Sequence, residues 1–345
     1  MLRTLEIVER DEEYVGIILD QRALPMEEKY LEVRSSEEVA RAIEEMAVRG
    51  APAIGLAGVL AIAISVLNSK DFEEAMKSAK ESYSRVRKTR PTARNLFWAT
   101  DKIMKSISSC ETLDELKEVA IKTFREMAKE DEETNKRIGY FGAKLIKDGQ
   151  NILTHCNAGA LACYSFGTAL GVIRAAWREG KRIHVYVDET RPLLQGARLT
   201  AWELLRDGIP HTVIVDSAAG YLMSKGEIDL VIVGADRITM EGDVANKIGT
   251  YTLAVLAEKH NIPFYVAAPT STIDPEIESG DQIKIEVRSE EEVKKFLGLE
   301  VSPRGSRAYN PAFDVTPGEM ITGIITEKGI LTKPFKEKIA ELFKK

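Results

Sequence analysis

Five short polar stretches in the second half of this chain each follow directly on a run of apolar residues. They are His155-Cys156-Asn157-Ala158-Gly159, Asp188-Glu189-Thr190-Arg191, Asp216-Ser217, Gly234-Ala235-Asp236-Arg237 and Ala268-Pro269-Thr270. Cys156 offers an acid–base or nucleophilic thiol. Small residues and then helical patterning follow it, and the positive end of a helix dipole favours thiolate. Small neighbours also let backbone N–H groups approach a phosphate or an oxyanion. An isolated cysteine equally well packs as a small hydrophobe, and position alone favours neither reading. Cys163, inside the helical pattern, reads as core. Asp236 ends the run Leu230 to Ala235, where partial desolvation would raise its pKa toward values useful in general acid–base catalysis. A helix cap or an ion pair with Arg237 is the competing reading. Asp188 and Asp216 hold equivalent places, and spacing does not separate the three.

Two arginines in the first third stand before helix starts. Arg49-Gly50-Ala51-Pro52 lies between two helical patterns, with Pro52 suited to the first turn of the second, and Thr89-Arg90-Pro91-Thr92 is similar. Each guanidinium could clamp an anion or cap a helix, and position leaves both open. Asn246-Lys247, read as early in a helix after Asp236, could hydrogen-bond sugar hydroxyls or phosphate, with a solvated lysine as the plainer reading. Other chemistries lack their residues. No G-x-G-x-x-G follows a strand pattern and no G-x-x-x-x-G-K-[ST] occurs, which disfavours nicotinamide and P-loop enzymes. His155, His184, His211 and His260 are scattered, with no H-E-x-x-H and no paired-cysteine spacing, so no metal site is expected. G-x-S-x-G is also missing, against an α/β-hydrolase.

The elements that must position these residues show two textures. Residues 14–20 and 29–33 read as a short strand pair around a turn, followed by a capping box from Ser35 to Glu38. Helical periodicity then covers about 36–47, 52–68, 71–88 and 92–108, and a stretch from Leu113 to Ile146 long enough to break into two helices. After Gly149 the pattern changes. Short apolar runs at 151–154, 182–187, 212–215, 230–233 and 264–267 alternate with helical patterns at about 160–179, 196–207, 218–225 and 244–260. Non-alternating apolar runs joined by helices predict an α/β fold with a parallel sheet covered on both faces. The expected layout is a helical domain with a strand pair over 1–110, a helical connection over 111–148, and a doubly wound, Rossmann-like catalytic domain over 149–345. In such sheets ligands sit outside the carboxyl ends of the strands, the edge that all five polar stretches share.

The bulk properties narrow the field. A chain of 345 residues, 44% hydrophobic and 30% charged, suits two globular domains and not a disordered polymer. Its net charge of -6 argues against a general nucleic-acid binder. The N-terminus has no apolar run of signal-peptide length. Ala51–Leu67 is apolar enough to raise the membrane question, but Pro52, Gly55 and Gly58 point to a buried core helix. Three cysteines, Cys110, Cys156 and Cys163, form no disulfide framework and fit a reducing cytoplasm. Only four glutamines against abundant Glu and Lys hint at a hot habitat.

Six segments in order carry a family resemblance. Val48–Gly55, Thr89–Ala93 and Thr154–Gly159 come first, then Asp188–Pro192 through Gln195–Arg198, Gly234–Arg237 and Asn246–Thr250. Together they resemble the methylthioribose-1-phosphate isomerase family, within the superfamily that also holds initiation factor 2B regulatory subunits. The resemblance runs from about residue 10 to residue 330. It implies a catalytic pair, Cys156 and Asp236, with substrate contacts at Arg49, Gly50, Ala51, Arg90, Gln195, Asn246 and Lys247. It further implies a homodimer with no metal or nucleotide cofactor, while the expected cytoplasmic location and lack of nucleic-acid and membrane partners rest on the charge, cysteine and hydropathy readings above. Two neighbouring functions share the fold: ribose 1,5-bisphosphate isomerase, and a non-catalytic regulatory subunit of a translation-factor complex.

Overall fold

The computed structural model of the protein describes residues 2–344 except Glu12, Pro91, Thr92 and Leu297. Its internal contacts divide the chain into two compact units. One comprises Met1–Lys136 with Gly159–Gly167, the other Arg137–Ala158 with Thr168–Lys345.

The first unit opens with an antiparallel sheet of β1 (Leu5–Arg10), β2 (Glu13–Leu19) and β3 (Tyr30–Val33) in the order β1-β2-β3. The sequence predicts only the second and third of these. β1 buries little beyond Leu5, so its pattern is weak, and pairing with β2 makes it a strand. Helices α1 (Ser36–Glu44), α2 (Ala51–Leu67), α3 (Phe72–Arg87) and α4 (Arg94–Ile107) follow close to their expected bounds. The capping box forms as expected: the Glu38 amide donates to Ser35 Oγ at 3.3 Å, and the Ser35 amide donates to the Glu38 carboxylate at 3.1 Å. Helix α2 is apolar on every side and buried along nearly its whole length, packed between α3 and α4 as the unit's core. No helix among the described residues is long and apolar enough to cross a membrane. Helix α5 (Leu113–Ala143) runs as one helix where the sequence left a break into two open, and the unit boundary falls inside it. No proline interrupts it.

Residues Gly159–Gly167 correct the expected helix at 160–179. They form one 3-10 turn, Ala160–Ala162, and then irregular chain tied into the first unit. Thr4 Oγ1 donates to the Cys163 carbonyl at 2.6 Å, Gln21 Nε2 to the Leu161 carbonyl at 2.7 Å, and the Tyr164 amide to Asp131 at 2.8 Å. Cys163 is buried as expected, but not within a helix. Gly167, at φ +85°, closes the excursion so near Gly159 that an added Cβ would lie 2.4 Å from its backbone carbon.

In the second unit the main sheet contains β4 (Asn151–Thr154), β5 (His184–Asp188), β6 (His211–Ile214) and β7 (Leu230–Val233). Between β7 and the next sheet strand lie β8 (Arg237–Ile238) and β9 (Val244–Lys247), then β10 (Phe264–Ala267). A one-turn α10 (Glu291–Lys294) and the ribbon β11 (Lys295–Phe296) with β12 (Leu299–Glu300) precede β13 (Phe313–Thr316), β14 (Gly323–Thr326) and β15 (Gly329–Leu331). The main sheet runs β15-β14-β10-β7-β4-β5-β6, parallel except for β15. A smaller sheet, β13-β9-β8, was not expected. Residues 244–247 were read as the start of a helix. They pair instead with β13 and β8, and Gly249 at φ +104° separates them from the helix that begins at Thr250.

Alternation along the central strands sends side chains to two cores. Leu153, Val231, Val233 and Val266 pack with α8 (Ala219–Ser224), α9 (Thr250–Lys259) and α11 (Phe335–Phe343). Ile152, Leu230, Ile232 and Ala267 pack on the other face with α6 (Ala169–Arg178), α7 (Ala201–Arg206) and the end of α5. The sheet is therefore covered on both faces, and its strands are apolar in both directions for that reason.

Gly55 in α2 gives a test of the first unit's core. Gly→Ala inside a helix normally stabilises by about 1 kcal/mol. Here an added Cβ would lie 2.9 Å from the Asn95 carbonyl oxygen of α4, a backbone atom that cannot turn aside. Gly55→Ala is expected to destabilise by about 1–3 kcal/mol through overpacking, read as a lower urea midpoint. A raised midpoint would refute the close α2–α4 approach.

Candidate active site at the carboxyl edge of the sheet

Successive strands β4, β5 and β6 run outward to one side, and the chain then returns to lay β7 on the other side of β4. Right-handed crossovers on either side of such a reversal leave a crevice between the two strand ends, where ligands bind in open parallel sheets. The strands that flank it, β4 and β7, pair Ile152 with Leu230 and Leu153 with Val231. Cys156 follows β4 and Asp236 follows β7. The loops leave the sheet in close contact, for a Cβ on Gly234 would lie 2.7 Å from that of Ala158.

Cys156 is buried and left-handed, at φ +58°. Two threonines hold that conformation. The Cys156 amide donates to Thr190 Oγ1 at 2.8 Å, and Thr200 Oγ1 donates to the Cys156 carbonyl at 2.6 Å. Thr190 is itself left-handed at φ +65°, unusual for a β-branched residue, and Leu194 lies at φ +58°. Such residues cost about 1–3 kcal/mol each and persist where the surroundings over-determine them, characteristically at functional sites. No helix starts at Cys156, because the chain departs into the segment Gly159–Gly167 and α6 begins only at Ala169. A helix dipole therefore does not act on the thiol.

Behind the cysteine lies a buried polar chain. Asn157 Nδ2 donates to Glu203 Oε1 at 2.9 Å, and Arg174 Nη2 donates to Glu203 Oε2 at 2.9 Å. Arg174 Nε also donates to Asp207 at 2.5 Å. These ion pairs hold Glu203 and Arg174 together in the interior.

The three strand-end aspartates now separate. Asp216 accepts the amides of Thr190 at 2.7 Å and Arg191 at 2.8 Å, and so clamps the loop after β5. Asp188 is fully buried, with Oδ2 2.9 Å from His155 Nδ1 and Oδ1 without a donor among the described residues. Asp236 is half-buried, and its amide donates to the Ala245 carbonyl of β9 at 2.9 Å. That bond sets Asp236 beside Asn246 and Lys247. Asn246 Nδ2 donates to Thr250 Oγ1 at 3.0 Å, and Lys247 Nζ stands 4.8 Å from the centroid of the Phe313 ring. Gln195, buried at the start of the turn leading to α7, has an Oε1 with no donor among the described residues. A buried carbonyl oxygen without a donor is what a hydroxylated ligand would satisfy.

His155, Asp188 and Asp216 bring ligand-type atoms within 4.8 Å of one another, a cluster the scattered histidines did not suggest. Most of these atoms are already matched: His155 Nδ1 to Asp188, His155 Nε2 to the Ile248 carbonyl at 2.9 Å, and both Asp216 oxygens to backbone amides. The cluster therefore works as a hydrogen-bonded brace. Thr200 and Glu203 lie outside the polar stretches read from sequence, and the pairing of His155 with Asp188 is not legible there. The one available signal was the shared strand-end position of His155 and Asp188.

Of the residues expected in the first unit, Gly50 is the N-cap of α2 at φ +92°, and an added Cβ would lie 2.5 Å from Ala162 Cα. Ala51 is the first residue of that helix and buried. Arg49 and Arg90 are half-buried, the latter with Nη2 3.5 Å from the Ile43 carbonyl. Pro91 and Thr92 of the second motif lie outside the described residues.

The model of the initiation factor 2 subunit family matches residues 47–333. A methylthioribose-1-phosphate isomerase from Thermotoga neapolitana is 56% identical over 327 residues, 94% of this chain and 94% of its own. The crystal structure of 5-methylthioribose 1-phosphate isomerase from Pyrococcus horikoshii superposes with a TM-score of 0.92 at 46% identity, covering 99% of this chain and 96% of its own. A chain described as translation initiation factor eIF-2B subunit delta from A. fulgidus gives 0.88 at 44% identity, covering 99% and 100%.

Thr190→Val keeps the shape of the side chain and removes the acceptor of the buried Cys156 amide. The expected loss is about 1–3 kcal/mol in urea unfolding, the usual cost of a stranded buried donor. Thr190→Ser is expected to retain stability. Equal midpoints for all three proteins would show that the bond does not hold the loop.

Proposed function

The chain belongs to the initiation factor 2 subunit family, and we propose that within it the chain is an aldose–ketose isomerase converting 5-methylthioribose 1-phosphate to 5-methylthioribulose 1-phosphate in methionine salvage. The observation that carries this reading is the meeting of the Cys156 and Asp236 loops at the strand-order reversal, in a chain 56% identical to an isomerase of that name.

The chemistry explains why such a pair is wanted. An aldose 1-phosphate has its anomeric oxygen blocked, so its ring cannot open as that of a free sugar does. Asp236 donates a proton to the ring oxygen as the bond from C1 to that oxygen breaks. A hydrogen then moves from C2 to C1 while the C2 hydroxyl loses its proton and becomes the ketone. Cys156 serves this transfer, as proton carrier through an enediolate or as a wall of a dry pocket for hydride. Reaction in deuterated water tells the two apart, since only the proton route brings solvent deuterium to C1. Gln195, Asn246 and Lys247 bind the sugar and its phosphate, and Arg49, Gly50, Ala51 and Arg90 complete the substrate-binding set.

The translation-factor description of one structural relative motivates a second reading, a non-catalytic regulatory subunit. The Cys156–Asp236 pair weighs against it, since such a subunit needs neither residue. Ribose 1,5-bisphosphate as substrate would demand an extra cationic cradle in place of apolar surface for the methylthio group.

A coupled assay with 5-methylthioribose 1-phosphate tests the reading, with ribose 1,5-bisphosphate in parallel. Cys156→Ala is expected to lose at least about a hundredfold in turnover, within the usual ~10²–10⁴ contribution of general acid–base groups, while Cys163→Ala stays active. Asp236→Asn is expected to bind substrate nearly as wild type and to fail in the single-turnover step. Lost affinity with surviving chemistry would make Asp236 a binding residue only. No turnover of either sugar phosphate by wild type would overturn the function itself.

Arg49→Met and Arg90→Met test the anion-binding role separately. Charge-assisted hydrogen bonds contribute about 1.5–3 kcal/mol, so KM should rise at least about tenfold in each, and product inhibition by the ketose phosphate should weaken in step. Unchanged KM in folded variants would remove these arginines from the binding set.

A further inference from the structure

We propose that His155 is held as a permanent imidazolium, acting as a positioning residue that ties together the loops carrying Cys156, Thr190 and Lys247. The inference rests on the isomerase reading for its functional consequence and on geometry for the charge itself.

Both ring nitrogens face acceptors: Nδ1 lies 2.9 Å from Asp188 Oδ2, and Nε2 lies 2.9 Å from the Ile248 carbonyl oxygen. A carbonyl cannot donate, so Nε2 must carry a hydrogen. A second hydrogen must lie between Nδ1 and the carboxylate. Imidazole outbids a carboxylate for it by about 2.6 pKa units in unperturbed groups, which places it on the ring. The charged groups around the ring favour the same outcome. Asp188 faces it from the end of β5, Asp216 from the loop after β6, and Asp314 from β13. Asp216 and Asp314 each accept two backbone amides, Asp314 from Gly249 at 2.7 Å and Tyr251 at 3.1 Å. Among the described residues no other cationic side chain is bonded to these three carboxylates, and Asp188, buried in a dry interior, calls for a counter-charge. Burial works against charge on the ring, and the Asp188 carboxylate outweighs it, so the His155 pKa is raised. Burial pushes Asp188 upward too, so the pair as a whole retains its proton.

The position of the ring gives the charge its use. His155 immediately precedes Cys156. Its carboxylate partner begins the loop whose Thr190 accepts the Cys156 amide, and its carbonyl partner follows Lys247 directly. Gly249 packs against it, an added Cβ there lying 3.0 Å from His155 Cε1. One ring therefore fixes three strand-end loops, which a neutral ring with a single donor could do only in part.

The experiment is nitrogen NMR of the protein labelled with ¹⁵N in its four histidines. The His155 signals are identified by their loss in His155→Gln. Both ring nitrogens are expected to carry hydrogen from roughly pH 6 to pH 9, with no titration near the ordinary ~6.5. Asp188→Asn, which keeps the volume and removes the charge, should let the ring lose its proton well below that ordinary value, and it serves if His155→Gln does not fold. In the isomerase assay folded His155→Gln should lose roughly a hundredfold in turnover with KM changed only a few-fold, as a reacting group misplaced by about 1 Å would produce. A bare ring nitrogen at neutral pH, or a ring titrating normally, overturns the charge. A protonated ring with undiminished turnover in His155→Gln overturns the positioning role. Absence of isomerase activity in wild type leaves the NMR result standing and counts against the function alone.

Discussion

The parallel pairing of β4 with β7 is the constraint on which the second unit depends. Every other strand of the main sheet is placed by growing outward from that pair, β5 and β6 on one side, β10, β14 and β15 on the other. Reversal of the direction of growth forces the crossover helices onto opposite faces, so both cores exist because of it. The same reversal sets the loops after β4 and β7 side by side at the crevice on the carboxyl edge of the sheet. Cys156 and Asp236 lie on those loops, the first held by two threonines and the second by the Ala245 carbonyl of β9.

Around that opening the interior is unusually polar. Glu203, Arg174, Asp188, His155 and Asn157 are all nearly inaccessible to water. Buried ionic groups seldom add net stability over apolar packing, whereas breaking one pair is strongly destabilising. What these groups supply is direction. Glu203 and Arg174 orient Asn157, Thr190 and Thr200 hold Cys156 left-handed, and His155 joins the loops on either side. A left-handed non-glycine residue needs such over-determination, because its own backbone preference opposes it.

The parts governed by local periodicity are legible in the chain alone. Helices α1 to α4, the capping box at Ser35, and the parallel strands β4, β5, β6, β7 and β10 all appear near their expected bounds, because burial on one stripe or on both faces writes a pattern into consecutive residues. The strand-end rule drew Cys156, Asp188, Asp216 and Asp236 from the same information. Only tertiary structure decided what depends on residues far apart in the chain. Asn246 and Lys247 are strand and not helix because β13, some seventy positions on, pairs with them. No α-helix runs through residues 160–167, because Thr4, Gln21 and Asp131 claim backbone groups of Cys163, Leu161 and Tyr164. Position could not choose among three strand-end aspartates. Partners chose: Asp188 took a histidine, Asp216 took two amides, and Asp236 was brought to β9 beside Asn246. Periodicity records which side of an element is buried, but it holds no record of which distant group lies opposite, and at this site that pairing is what separates one carboxylate from another.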